Sequence, residues 1–180
     1  MRRLWTPWRM TYLVRERVGD CVFCQKLGED DDRENLILYR GQAACVLLNL
    51  YPYNTGHLMV IPLKHTASLE ELPAEGIVEV MRLIQESLKI LRKQLRPDGF
   101  NVGANIGKAA GAGIDDHVHI HIVPRWNGDT NFMPVLAETR VMPEMLLDTY
   151  DRLKAEFDAR DLRSLLKKGR PSRRGATGAA

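Results

Sequence analysis

The order of elements in this sequence predicts an α+β fold, and three features carry that reading. Short β-rich runs stand on both sides of one long amphipathic stretch, a second amphipathic stretch closes the chain, and strand-helix alternation never repeats. The expected architecture is about five strands in a mainly antiparallel sheet, with one long central helix and a C-terminal helix.

Taken in order, GEDDDREN (28–35) is a charged loop, and NLILYR and AACVLLNL are two β-rich runs around the turn signal Arg40-Gly41-Gln42, so they predict a hairpin. The segment Pro52-Tyr53-Asn54-Thr55-Gly56 is a turn; HLMVIP after it is a third strand, ended by Pro62. From Pro73 to Leu95, the apolar residues Ile77, Val80, Met81, Ile84, Leu88, Leu91 and Leu95 recur at three- and four-residue steps, the period of one helix face. Pro73 suits a first helical turn, and Pro97-Asp98-Gly99 stops the chain. FNVGANIG (100–107) is a fourth strand, KAAGAGIDD a glycine-containing loop, and HVHIHIVP (117–124) a fifth strand in strict alternation. A second helix is expected from Pro143, with Leu146, Tyr150, Leu153 and Phe157 on one face.

The chain has 180 residues, 44% hydrophobic and 27% charged, which suits one soluble domain, expected over residues 1–166. No apolar run approaches the roughly 20 residues of a membrane span, and MRRLWTPWRM lacks the apolar core of a secretory signal, so the expected compartment is the cytoplasm. The net charge is +3, but the tail 167–180 alone carries five Lys and Arg and no acid. Without it the body stands near −2, so the folded part is not basic, and nucleic-acid binding is expected at most through this tail. The tail's composition predicts disorder. Three cysteines argue against a disulfide framework; Cys45, within AACVLL, is a small buried hydrophobe.

Three of the five histidines fall within HVHIH. On a strand, His117, His119 and His121 share one face while Val118, Ile120 and Ile122 line the other. Three readings compete: exposed polar residues, a catalytic metal site, or an imidazole nucleophile with its neighbours as charge stabilisers. The last has a plain basis, since a neutral imidazole is a nucleophile near neutral pH, and ring and backbone N–H groups can hold phosphoryl oxygens.

The stretch GAGIDDHVHIHIVPRW resembles the signature of the histidine triad (HIT) family of nucleotide hydrolases and transferases: HVHIHIV matches all seven positions of the motif His, apolar, His, apolar, His, apolar, apolar. The likeness extends through CxxC, LNLYPYNTGH, VIPLKH, the amphipathic helix and GFNVG, about residues 21–135. PRWNGDTNF resembles the branch with bacterial diadenosine tetraphosphate phosphorylases.

The resemblance implies a HIT-like fold and a purine-nucleotide substrate. His119 would attack the α-phosphorus to form a nucleotidyl-histidine, and His121 would contact the phosphates. His57 would pack beside the triad, as a ligand contact or as a hydrogen-bonded core histidine. Asn49 would touch a ribose or cap its turn, and Asn105 would lie near the α-phosphate. Gly113 stands where many members have a Gln that helps hold the phosphate, a departure that fits a different second nucleophile such as inorganic phosphate. Trp126 would pack, stack on a base or serve an oligomer contact. Members commonly form homodimers.

Cys21-Val-Phe-Cys24 has the spacing that lets two thiolates reach one zinc, and a redox reading competes with it. In relatives with this CxxC, two histidines complete a structural zinc site; the matching positions are His65 and His117. The expected activity is cleavage of a dinucleoside polyphosphate by phosphorolysis or hydrolysis. The alternatives are a nucleoside phosphoramidate hydrolase and a zinc-stabilised nucleotide-binding protein without turnover.

Overall fold

The computed structural model describes residues 21–129, 144–162 and 164. The segment LWTPWRM, the start of the second helix at Pro143 and the basic tail lie outside them.

A five-stranded sheet is built from β1 (Ile37–Arg40), β2 (Ala44–Leu48), β3 (Leu58–Pro62), β4 (Gly99–Ala104) and β5 (Ile120–Arg125), in the order β1-β2-β3-β5-β4. Every neighbouring pair is antiparallel. Three helices accompany it: α1 (Val22–Gly28), α2 (Ala74–Leu95) and α3 (Leu146–Asp158). The predicted hairpin is β1–β2, with an irregularity between Ile37 and Tyr39.

Strand alternation divides the sheet's side chains between two cores. Ala44, Val46 and Leu48 of β2, Leu58 and Val60 of β3, and Ile120 and Ile122 of β5 pack in one cluster with Leu83, Ile84, Ile90 and Leu91 of α2 and Tyr150, Leu153 and Phe157 of α3. The intervening Cys45, Leu47, Met59 and Ile61 form a smaller cluster with Ile37 and Phe23 of α1. β5, which carries His121, runs between these layers.

The α2 boundaries follow the sequence reading, but its buried face is rotated. Met81 is 52% exposed whereas Leu83 is fully buried, because the sheet and α3 meet the stripe through Leu83, Ile84, Ile90 and Leu91. The seven-residue α1 is an addition to the expected elements; such a short helix depends on tertiary anchors, here the buried Phe23.

Pro62 sets where the β3–β5 ladder ends. The Leu63 N–H donates to Ala43 O on the β2 side, so residue 62 faces β5, where a proline has no N–H to give. Pairing stops at Val60 with Ile120. β5 therefore starts at Ile120 and not at His117 as expected: His117 to His119 lie just ahead of it, with a bend at His117, and the Val118 N–H donates to Thr66 O instead, at 2.7 Å.

Gly56 delivers His57 onto β3. Its φ is +75°, and a Cβ there would stand 2.3 Å from Leu95 Cδ1 and 3.2 Å from Leu91 Cδ2. Gly56→Ala is expected to lower stability by about 1–2 kcal/mol in denaturant unfolding, from the left-handed backbone and the forced shift of Leu95.

Candidate active site and metal centre

The site begins with the protons that folding assigns to each imidazole. The His119 side chain is 5% exposed and its Nδ1 lies 2.9 Å from the carbonyl of His117. A carbonyl only accepts, so Nδ1 carries the proton, and the Nε2 of a neutral ring keeps its lone pair.

His57 is fully buried and has the opposite tautomer. Its Nδ1 accepts from the Tyr53 backbone N–H at 3.0 Å and faces the Asn49 amide nitrogen at 3.4 Å, so its proton sits on Nε2. That Nε2–H donates to His121 Nδ1 at 2.9 Å. A neutral His121 must then carry its own proton on Nε2, where it is a donor. The rings of His119 and His121 lie 4.8 Å apart, edge to face. One imidazole thus offers an electron pair beside another that offers a hydrogen bond.

Burial favours the neutral forms. Desolvation lowers the pKa of His119 despite the bond to the His117 carbonyl, and burial with the neighbouring His119 pushes His121 down to about 4. At neutral pH neither ring is protonated a second time.

A pocket of about 370 Å³ opens beside His121 on the β4–β5 surface. Tyr53, Asn101, Asn105, His121, Arg125 and Asp129 are among the residues that line it. Arg125 donates to Asp129 through Nε at 2.6 Å and Nη2 at 2.8 Å, and to Asn101 Oδ1 through Nη1 at 2.9 Å. The guanidinium holds the Asp129 carboxyl well below the usual carboxylate range.

Of the residues expected to meet a nucleotide, His121 and Asn105 line this pocket. His57 reaches it only through its bond to His121. Asn49 caps its own turn, its Oδ1 accepting from the Tyr51 N–H at 2.9 Å, and its amide nitrogen faces His57. Gly113 is half-buried in the loop before His117. Trp126 is half-buried, its backbone N–H donating to Asp129 Oδ2. Sequence reasoning assigned no role to Tyr53, Arg125 or Asp129. The available signal was alternation, since Arg125 lies on the same strand face as His121 and Val123, and Asn127-Gly128 marks the turn that returns Asp129 to it.

Behind the triad, Cys21, Cys24, His65 and His117 present Sγ and imidazole nitrogen atoms that all lie within 4.8 Å of one another. The His117 Nε2–H donates to Pro62 O at 2.9 Å, which leaves Nδ1 as a lone pair. That Nδ1 lies 3.3 Å from Cys21 Sγ and 3.6 Å from Cys24 Sγ, and His65 Nδ1 lies 3.3 Å from Cys24 Sγ. A tetrahedral zinc with ordinary bond lengths sets its sulfur and nitrogen ligands roughly 3.5 Å apart. The four residues therefore fit one tetrahedral ion, and they would close its shell without a place for water. Phe23, between the two cysteines in sequence, packs its ring 5.5 Å from His117 and 5.0 Å from His119.

The HIT domain model matches residues 31–128. An "AP-4-A phosphorylase" of Mycobacterium tuberculosis is 38% identical over 165 residues, covering 87% of this chain and 85% of that protein. An adenosine 5'-monophosphoramidase of Schizosaccharomyces pombe is 31% identical over 107 residues, 59% of this chain and 75% of that protein. Among solved structures, a zinc-bound histidine triad family protein from Mycobacterium smegmatis superposes with a TM-score of 0.62 at 30% identity, covering 81% of this chain and 97% of that one.

Removing one side chain of this candidate metal cluster should leave His119 in place while loosening α1 from the stretch around His117. Cys21→Ser and His65→Ala are expected to lose bound metal by elemental analysis and to melt several degrees lower than the parent; undiminished metal and stability in both would rule the centre out.

Proposed function

The chain belongs to the HIT domain family and is a nucleotide-processing enzyme, and from that premise we propose that it cleaves a dinucleoside polyphosphate at the α-phosphorus through a nucleotidyl-His119 intermediate. The observation that carries the reading is the pair of opposed tautomers: an Nε2 lone pair on His119 beside an Nε2–H on His121.

In this reading the His119 Nε2 electron pair forms an N–P bond as the bond from the α-phosphorus to its bridging oxygen breaks. From a dinucleoside tetraphosphate the departing group is a nucleoside triphosphate, which takes the bonding pair as a stable anion and needs no proton. The ring becomes cationic, and its Nδ1–H bond to the His117 carbonyl offsets that charge. The His121 Nε2–H would meet a phosphoryl oxygen as negative charge builds there, with His57 fixing the ring that delivers it. A second nucleophile then attacks the same phosphorus and the N–P bond breaks, returning the lone pair to His119. Inorganic phosphate would give a nucleoside diphosphate, and water a nucleoside monophosphate.

The relative named AP-4-A phosphorylase favours phosphate as acceptor and adenosine as the nucleoside. The monophosphoramidase relative supports a second reading, with a nucleoside phosphoramidate as substrate for the same intermediate. For the metal we propose zinc, on the strength of two thiols and two imidazoles at tetrahedral spacing. When bound it would be structural, held by Cys21, Cys24, His65 and His117. A cytoplasmic setting accords with three cysteines that form no disulfide. A homodimer would cover the exposed stretch of edge strand β4 around Val102, which is 46% exposed.

With diadenosine tetraphosphate and labelled inorganic phosphate, label is expected in ADP with ATP as co-product. His119→Ala is expected to lose at least about 10,000-fold in kcat. AMP and ATP without label would replace phosphorolysis by hydrolysis, and full activity of His119→Ala would overturn the covalent route.

A further inference from the structure

A substrate cut at the α-phosphorus by His119 has a second part, the remaining phosphoryl groups and the nucleoside they carry. The pocket beside His121 has the shape and donors for that part. On β5, His121, Val123 and Arg125 share one face, so the pocket runs about 13 Å along the strand from His121 to Arg125. The opposing strand leaves this surface open, because Gly103 pairs with His121 and Gly99 with Arg125. Among the described residues, a Cβ built on either glycine meets nothing within 4 Å.

At the far end, Arg125 is fixed rather than free. Three of its N–H groups are engaged, two by Asp129 and one by Asn101, out of the five a guanidinium offers. Asp129 is itself tied to the body of the fold, since it also accepts from Asn54 Nδ2 at 2.8 Å and from the Trp126 N–H at 3.2 Å. Asn54 in turn donates to Pro124 O at 3.0 Å. The carboxylate thus compensates the arginine's charge and fixes its plane, while two N–H groups remain for a ligand. A preorganised planar donor of this kind suits phosphoryl or ribose oxygens and loses little freedom on binding.

We propose that the β4–β5 groove ending at Arg125 is the subsite for the distal, leaving-nucleotide half of a dinucleoside polyphosphate. The proposal rests on the reading of His119 as the attacking group on such a substrate. It makes Arg125 a determinant of substrate length: a mononucleotide ligand ends short of it, whereas a bridged one reaches it.

The test compares long and short ligands on the full-length protein. Kinetics would use diadenosine tetraphosphate against adenosine 5'-phosphoramidate; calorimetry would use a non-hydrolysable diadenosine tetraphosphate analogue against AMP. Arg125→Ala is expected to lower the long-to-short ratio about 10- to 100-fold in both kcat/KM and affinity, with Arg125→Lys in between. Gly99→Leu, opposite Arg125 at a position where a Cβ meets none of the described residues within 4 Å, should lower the same ratio by obstruction, and it guards against a folding defect in the arginine variants. Equal losses on long and short ligands, or an unaltered ratio in the Arg125 and Gly99 variants, would overturn the subsite. A parent protein that binds the long analogue more tightly in an Arg125-dependent way but turns over neither substrate would overturn the proposed reaction and leave the subsite standing.

Discussion

The site depends on one constraint: a neutral imidazole has a single N–H, and the surrounding backbone decides which nitrogen keeps it. The carbonyl of His117 takes the Nδ1–H of His119, the Tyr53 N–H takes the lone pair of His57 Nδ1, and the carbonyl of Pro62 takes the Nε2–H of His117. Each choice leaves the other nitrogen with a defined capacity. His119 and His117 keep lone pairs, on Nε2 and Nδ1, and His121 inherits a donor from His57. The chain brings similar residues together at the start of β5; their hydrogen bonds make them chemically different.

Pro62 connects two of these assignments. It ends the β3–β5 ladder, so its carbonyl accepts from an imidazole, and that acceptance turns His117 Nδ1 toward the thiols of Cys21 and Cys24. The candidate metal centre and the candidate nucleophile are therefore coupled through the short stretch from His117 to His119 and through Phe23, which packs against both rings. A helix as short as α1 gains its place from these contacts rather than from its own hydrogen bonds.

Much of this was legible in the sequence because it is local. The five strands and the helix ending at Leu95 follow from periodicity and from Pro and Gly punctuation, although the alternation of HVHIH extended the fifth strand to His117 whereas pairing begins at Ile120. Non-local features were less accessible. Met81 and Leu83 are equally apolar, and only the position of the sheet and α3 decides that Leu83 is the buried one. Helix α1 spans too few residues to show a period. Resemblance to known members supplied the match of His65 and His117 to the CxxC, and the structure brings those four side chains together. The Arg125–Asp129–Asn54 clamp joins positions up to 75 residues apart, so no local pattern announces it.

The most direct test of the account is ¹⁵N-edited NMR of the histidine rings in the metal-loaded protein, followed over pH. A proton is expected on Nδ1 of His119, on Nε2 of His57 and on Nε2 of His121, with His121 remaining neutral until the pH falls to about 4. A proton on Nε2 of His119 at neutral pH would remove its lone pair from the reacting side and contradict the assignment of His119 as the attacking group.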